Sequence, residues 1–292
     1  MNLISIFQNE KTRIILGDAI TVLNEYIENE SIDLIFVDPP YNIGKKFANF
    51  QDKWEDEENY ILWCYQWLDL CVNKLKKNGA IYVMSSTQTM PYFDLYLRKK
   101  LTILSRIVWY YDSSGVQAKK YYGSLYEPIL FCVKDKNNYT FNSDDILVEA
   151  KTGSQRKLID YRGDKPKPYN NQKVPGNVWQ FPRVRYRMPE YEEHPSQKPE
   201  ILLERIIKAS SNPDDLILDP FAGTFTTCAV TTCAVAQKLN RRSIGIEMQE
   251  DYLKIGLRRL GIAEEYKGEK LTPLNKVFIR ENTCEYNQLR IF

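Results

Sequence analysis

In 292 residues there is one histidine, His194, and there are six cysteines, at positions 64, 71, 132, 228, 233 and 284. No two cysteines form a CxxC pair, and a lone imidazole leaves too few partners for a zinc site. No metal centre is expected, and the thiols read as reduced and mostly buried. No apolar run approaches roughly 18 residues, the length that would mark a transmembrane helix. The opening MNLISIFQNEKTR has no basic n-region, no long apolar stretch and no small-residue cleavage site, so a cytoplasmic location is expected. Two nucleotide signatures are missing as well. Without G-x-x-x-x-G-K-[ST] a nucleoside triphosphate is disfavoured, and without G-x-G-x-x-G so is a nicotinamide cofactor.

The chain does have the makings of an ordinary globular domain: 43% of residues are apolar and 13% aromatic. Short apolar runs at 13–16, 32–37, 80–84, 106–111, 127–134, 216–218 and 243–247 read as strands. Helical patterns fill 19–29, 57–76, 88–100, 199–209, 224–239 and 249–260, with Asn78-Gly79 as the expected cap of the second. Strands alternating with helices predict an α/β fold, a mostly parallel sheet covered on both faces. Residues 135–193 break the pattern. From Lys151 to Glu190 there are ten Lys/Arg and three Asp/Glu, a local +7 in a chain whose net charge is +2. Tyr161, Tyr169, Trp179, Phe181 and Tyr186 are interleaved with these charges. Basic residues among aromatics suit a polyanion with stackable bases.

Two turns carry candidate chemistry. Asp38-Pro39-Pro40-Tyr41 follows a buried strand directly, where open α/β sheets bind ligands. The prolines remove two N–H donors and stiffen the chain. What remains is a rigid edge of acceptors beside an aromatic ring, suited to the amino group of a flat heterocycle. The second turn is DPFAGTFTT, residues 219–227. It joins a strand to a helix start through Ala222-Gly223, so backbone can approach a ligand and N–H groups face it. Glu247 ends the next strand, where a carboxylate can hold a ribose diol.

Together with HPSQKPE (194–200), these motifs resemble the β-class DNA amino-methyltransferases, which use S-adenosylmethionine. Their order, with the Pro-Pro-Tyr motif first and the glycine turn last, is the circularly permuted order of that class. The resemblance spans about residues 10–262. It implies a Rossmann-like methyltransferase with a mostly parallel seven-stranded sheet. Residues 1–134 and 194–265 would form the catalytic and cofactor-binding domain, 135–193 a target-recognition insert and 266–292 a polar tail. It assigns the target adenine to Asp38, Pro39, Pro40 and Tyr41. The cofactor falls to Asp18, Asp219, Phe221, Ala222, Gly223, Thr224, Thr226 and Glu247, with Lys198 near its carboxylate. His194 reads as a positioning residue. DNA contacts are expected from Lys119, Lys120, Arg156, Arg162, Arg183, Arg185 and Arg187, and adenine reading from Asn170, Asn171 and Gln172. The implied activity is methyl transfer to adenine N6 in a short palindromic site of double-stranded DNA, with base flipping. The implied partners are DNA, a second copy in a homodimer and a cognate restriction endonuclease.

One feature departs from the family. TTCAV occurs twice in tandem, at 226–230 and 231–235. Asp219 to Glu247 therefore spans 29 residues, against about 24 in the family; deleting one copy restores the family spacing. Five extra helical residues turn a face by about 500°, a net 140°. The expectation is a longer helix with its irregularity near 236–241. Cytosine N4 or an RNA base remains open as the acceptor, as does a DNA-binding chain that has lost catalysis through the repeat. A protein-glutamine methyltransferase ranks last, because that motif normally has Asn before Pro-Pro-Tyr.

Overall fold

The computed structural model describes residues 4–47, 50–111, 119–151, 157–188, 190–191, 197–222 and 229–271. In chain order the main elements are β1 (Ser5–Gln8), β2 (Thr12–Leu16), α1 (Ala19–Glu25), β3 (Ile32–Val37), α2 (Glu57–Lys74), β4 (Leu75–Met84), α3 (Met90–Leu97), β5 (Thr102–Tyr110), β6 (Tyr126–Val133), β7 (Val178–Gln180), α4 (Glu200–Ser210), β8 (Leu216–Asp219), α5 (Ala229–Lys238), β9 (Arg242–Glu247) and α6 (Glu250–Arg259). The nine strands form one sheet in the order β1-β2-β9-β8-β3-β4-β6-β5-β7. From β2 to β4 every neighbouring pair is parallel. β6 then runs antiparallel to both β4 and β5, while β7 lies parallel to β5.

The expected seven strands are β2 to β6, β8 and β9; the structure adds β1 and β7 at the two edges. The Ser5–Gln8 strand has no apolar run to announce it, because its residues alternate half-buried and exposed. Val178–Gln180 buries only Trp179 and sits in the basic stretch. That side chain and Phe181 are covered by Arg205 of α4, whose guanidinium lies 5.2 and 4.5 Å from the two rings. The contact ties the edge strand to the domain.

β3 shows why the core forms. All six residues are buried. Ile35 and Val37 pack with α1, α2 and α3, and Leu34 and Phe36 with α4 and α5. A strand covered on both faces needs apolar residues at both parities. α2 starts where Asp56 accepts the Asn59 amide at 2.7 Å and buries Tyr60, Ile61, Cys64, Trp67, Leu68 and Cys71. It does not end at Asn78-Gly79. Leu75 already has extended backbone, and Asn78-Gly79 lies inside β4, where the register with β3 shifts between Ile32 and Leu34. A Cβ on Gly79 would stand 2.8 Å from Leu75 Cδ1 and 3.0 Å from the Asp33 carbonyl oxygen. Glycine is required there for close packing, not for a cap.

The end of the helix that carries the repeat differs from the expectation too. The second copy lies in α5, where Thr232, Cys233 and Val235, with Ala236 after them, are buried. Thr232 Oγ1 donates to Asp219 Oδ2 at 3.0 Å. The region 236–241 is regular: Asn240 takes a left-handed φ of 63°, and Asn240 and Arg241 donate back to Gln237 and Ala236, a Schellman-type ending. Core partners on β8 and β9 fix this end. Gly223 to Cys228 lie outside the described residues. No helix among the described residues is long and apolar enough to cross a membrane.

Candidate active site

The parallel strands end on one edge of the sheet, and that edge opens into a cleft of about 480 Å³. Gly17-Asp18 follows β2, Asp38 to Tyr41 follow β3, and Ser86 to Gln88 follow β4. Pro220-Phe221 follow β8, and Glu247 to Gln249 close β9. Because β6 is antiparallel, its beginning reaches the same edge and brings Glu127 in.

One half of the cleft is built on the Pro-Pro-Tyr turn. The Tyr41 hydroxyl lies 2.6 Å from Asp38 Oδ1 and 3.0 Å from Glu127 Oε2. Burial, then the charges of Asp38 and Glu127, raises the Tyr41 phenol well above its ordinary range, so it stays a donor. Lys198 Nζ, with a side chain only 3% exposed, is 2.6 Å from Asp38 Oδ2 and 3.5 Å from Glu127 Oε2. It also stands 5.7 Å from the centre of the Tyr41 ring. Lys198, expected beside the cofactor carboxylate, thus bridges the two acids of this half. The Pro40 carbonyl accepts the Tyr60 hydroxyl at 2.7 Å. The following loop is held by Asp52, 1% exposed, which accepts the amides of Ile43 and Lys45.

Two carboxylates without a cation among the described residues belong to the other half: Glu247 lines the cleft, and Asp219 lies buried behind the Pro220-Phe221 wall. Asp219 is fully buried and accepts Thr232 Oγ1 and, at 3.1 Å, the Phe221 amide. Burial pushes its carboxyl up to about 8. Glu247 accepts the Gln249 amide at 2.5 Å and is likewise raised well above the carboxylate range by burial. Among the described residues neither has a cation within ion-pair distance. Asp18 caps α1 through the Thr21 amide at 2.9 Å and lines the cleft as well. Phe221 is fixed against Trp63 and Trp67, with centroids at 5.6 and 5.1 Å. Buried acceptors lacking cations, beside a wall of Phe221, Met248 and Tyr252, fit a ligand with a sulfonium, an ammonium and a ribose diol. S-adenosylmethionine is such a ligand. Ala222 is buried, and its amide bonds the Ile246 carbonyl at 2.8 Å. Its expected neighbours Gly223, Thr224 and Thr226, like His194, lie outside the described residues.

Of the basic residues expected on DNA, Arg183 lines the cleft, with its guanidinium 5.0 Å from the Tyr111 ring. Lys119, Lys120, Arg185 and Arg187 are exposed, as are Asn170, Asn171 and Gln172. Arg162 is exposed but paired with Asp160 at 2.9 Å; Arg156 is outside the described residues. Glu127, Tyr111 and Lys45 had no assigned part, and all three line the cleft. Among the described residues no cluster of His, Cys, Asp and Glu is arranged to hold a metal ion.

Comparison with known proteins agrees with this geometry. A family described as DNA methylase, comprising N6 and N4 methyltransferases, matches residues 32–258. The DNA adenine methyltransferase YhdJ of Escherichia coli K12 is 60% identical over 270 residues, 92% of this chain and 90% of that protein. The type II methyltransferase M.HpaI of Haemophilus parainfluenzae is 36% identical over 250 residues, 85% of this chain and 74% of its own. The solved PvuII cytosine-N4-specific DNA methyltransferase superimposes with a TM-score of 0.63 at 18% identity, covering 90% of this chain and 91% of its own. The M1.HpyAVI–SAM complex does so with 0.55 at 23%, covering 85% and 99%. These structural likenesses show a shared fold.

Proposed function

Because the chain belongs to the DNA methylase family of N6 and N4 methyltransferases, we propose that it methylates the N6 amino group of adenine in double-stranded DNA, with S-adenosylmethionine as donor. The observation that carries the reading is one cleft with two unlike halves: an acceptor edge of Asp38, Pro39 and Tyr41, and a second half lined by Phe221 and Glu247 with Asp219 buried behind it. The adenine preference follows the 60% identical relative.

The cofactor supplies an already activated methyl group on a sulfonium. An amino group on an aromatic base is a poor nucleophile, since its lone pair is delocalised into the ring. Asp38 accepts one N–H. Pro40 is already bonded to Tyr60, so the Pro39 carbonyl is the backbone acceptor for the other. Two acceptors favour a more tetrahedral nitrogen and turn its lone pair toward the methyl. Tyr41 stacks on the base, and Asp38 takes the proton that the nitrogen later gives up. Positioning and fixed dipoles carry most of the acceleration. No cysteine attack is needed: burial pushes the thiols of Cys64, Cys132 and Cys233 up to about 12, the wrong direction for a nucleophile.

Asp219, Phe221 and Ala222 hold the methionine part of the cofactor and Glu247 its ribose, with Asp18 at the adenine. Lys119, Lys120, Arg183, Arg185 and Arg187 hold the flipped strand by its phosphates or read guanine edges. In this reading the enzyme works in the cytoplasm as a homodimer, and a companion endonuclease shares its site. The test is labelled S-adenosylmethionine with unmethylated DNA, followed by digestion to nucleosides. Labelled N6-methyladenine supports the reading; label on cytosine N4, or on oligonucleotides with cytosine as the only amino-bearing base, refutes it.

A further inference from the structure

Methyl transfer moves positive charge toward the target, because the amino nitrogen becomes cationic as it gains the methyl. The half of the cleft that receives the target should therefore be anionic. Asp38 alone cannot make it so, since Lys198 lies 2.6 Å away and Lys45 and Arg183 line the same space. Asp52 also lines it, but its carboxyl is engaged by the amides of Ile43 and Lys45. Glu127 is the remaining carboxylate. Its side chain is 14% exposed. Oε2 meets the Tyr41 hydroxyl at 3.0 Å and Lys198 at 3.5 Å, and Oε1 meets the Tyr111 hydroxyl at 3.3 Å. Burial, then Lys198 and Arg183, lowers the Lys45 pKa, while Asp38 and Glu127 oppose the shift; cationic charge is already crowded there.

We propose that Glu127 is a positioning residue of methyl transfer, which shares Lys198 with Asp38 and holds the Tyr41 ring by its hydroxyl. Without it Asp38 would be left paired with Lys198, with Lys45 and Arg183 in the same space and Asp52 tied into the backbone of its own loop. With it Asp38 keeps its strength as an acceptor for the developing ammonium. This role rests on the proposed amino-methyl transfer.

The variant to make is Glu127→Gln, which keeps an acceptor for Tyr41 and removes the charge, with Glu127→Asp beside it. Three quantities are read: the dissociation constant of S-adenosylhomocysteine, that of sinefungin, and the single-turnover rate on DNA. Sinefungin carries an amine where the cofactor carries its methyl, so it probes the field there without turnover. For Glu127→Gln the expected result is S-adenosylhomocysteine binding within about twofold of the parent, which shows an intact site. The preference for sinefungin over S-adenosylhomocysteine should fall severalfold, and the single-turnover rate by about 10- to 100-fold. Glu127→Asp should recover part of both. A Gln variant that binds S-adenosylhomocysteine normally and keeps rate and preference within about twofold of the parent overturns the proposal. If the parent itself labels no adenine, the functional reading fails on that result alone, and the sinefungin preference still decides the role of Glu127.

Discussion

Asp219 gives the cofactor a pH dependence that can be worked out in advance. Its carboxyl is raised by burial to about 8, so at pH 7 about nine in ten molecules hold it protonated. A cationic ligand seated beside it favours the carboxylate. Binding of S-adenosylmethionine should then expel about 0.9 proton from Asp219 at pH 7 and about 0.1 at pH 9. By linkage, affinity should weaken about 50-fold between pH 8 and pH 6. Calorimetry in buffers of different ionisation enthalpy counts the protons. Glu247 is shifted in the same direction by the same cause, so the contribution of Asp219 is the difference between the parent and Asp219→Asn. A difference below about 0.3 proton at pH 7, or an affinity flat from pH 6 to 8, would refute the assignment. The sign for the unliganded fold is also fixed. Between about pH 4 and pH 8 the folded chain keeps this proton and the unfolded chain has lost it, so stability falls as pH rises through that window.

Asp38→Ala should lower the single-turnover rate by at least about 100-fold while cofactor affinity, set in the other half of the cleft, changes less than about threefold; equal losses in both would place Asp38 in the cofactor site. Gly79→Ala puts a Cβ against Leu75 and the Asp33 carbonyl. It should cost about 1–3 kcal/mol in a denaturant titration, and an unchanged midpoint would mean that β4 shifts freely. Deleting one TTCAV gives the same chain whichever copy is removed. It leaves the packing downstream of Thr232 in place, so the shortened protein should bind S-adenosylmethionine at least as tightly; lost binding would make the added residues part of the cofactor turn.

The fold was legible wherever a strand is buried on both faces. Ile32–Val37 is found at the residues expected, because six buried positions leave no room for ambiguity. Ser5–Gln8 and Val178–Gln180 were not, since edge strands bury little and carry no run. Asn78-Gly79 has the composition of a cap, yet the glycine answers to crowding by Leu75 of its own strand and by the Asp33 carbonyl, which comes close only once β4 pairs with β3. The regular end of α5 at 236–241 departs from the expectation for a related reason. Register in α5 is set by what Thr232, Val235 and Ala236 touch, not by counting forward from Gly223. In the candidate site, Asp38, Tyr41, Asp219 and Glu247 were legible as strand-end residues because each ends or closely follows a strand that points to the cleft. Glu127 heads a strand, and nothing local to EPILFCVK says that β6 runs backward.

The strand order has a consequence for how the molecule is made. β2 and β3 are successive in the chain, but in the sheet β9 and β8 stand between them, a gap of about 14 Å at ordinary strand spacing. An emerging chain therefore exposes two unsatisfied inner edges until residue 247 has been synthesised, and those edges invite wrong pairing. Gly17-Asp18 and Glu247 meet only when the gap is filled, through the Gly17 amide and the Glu247 carbonyl at 2.7 Å. A truncated or stalled chain therefore lacks the complete cofactor cleft, and cofactor capture marks the finished sheet.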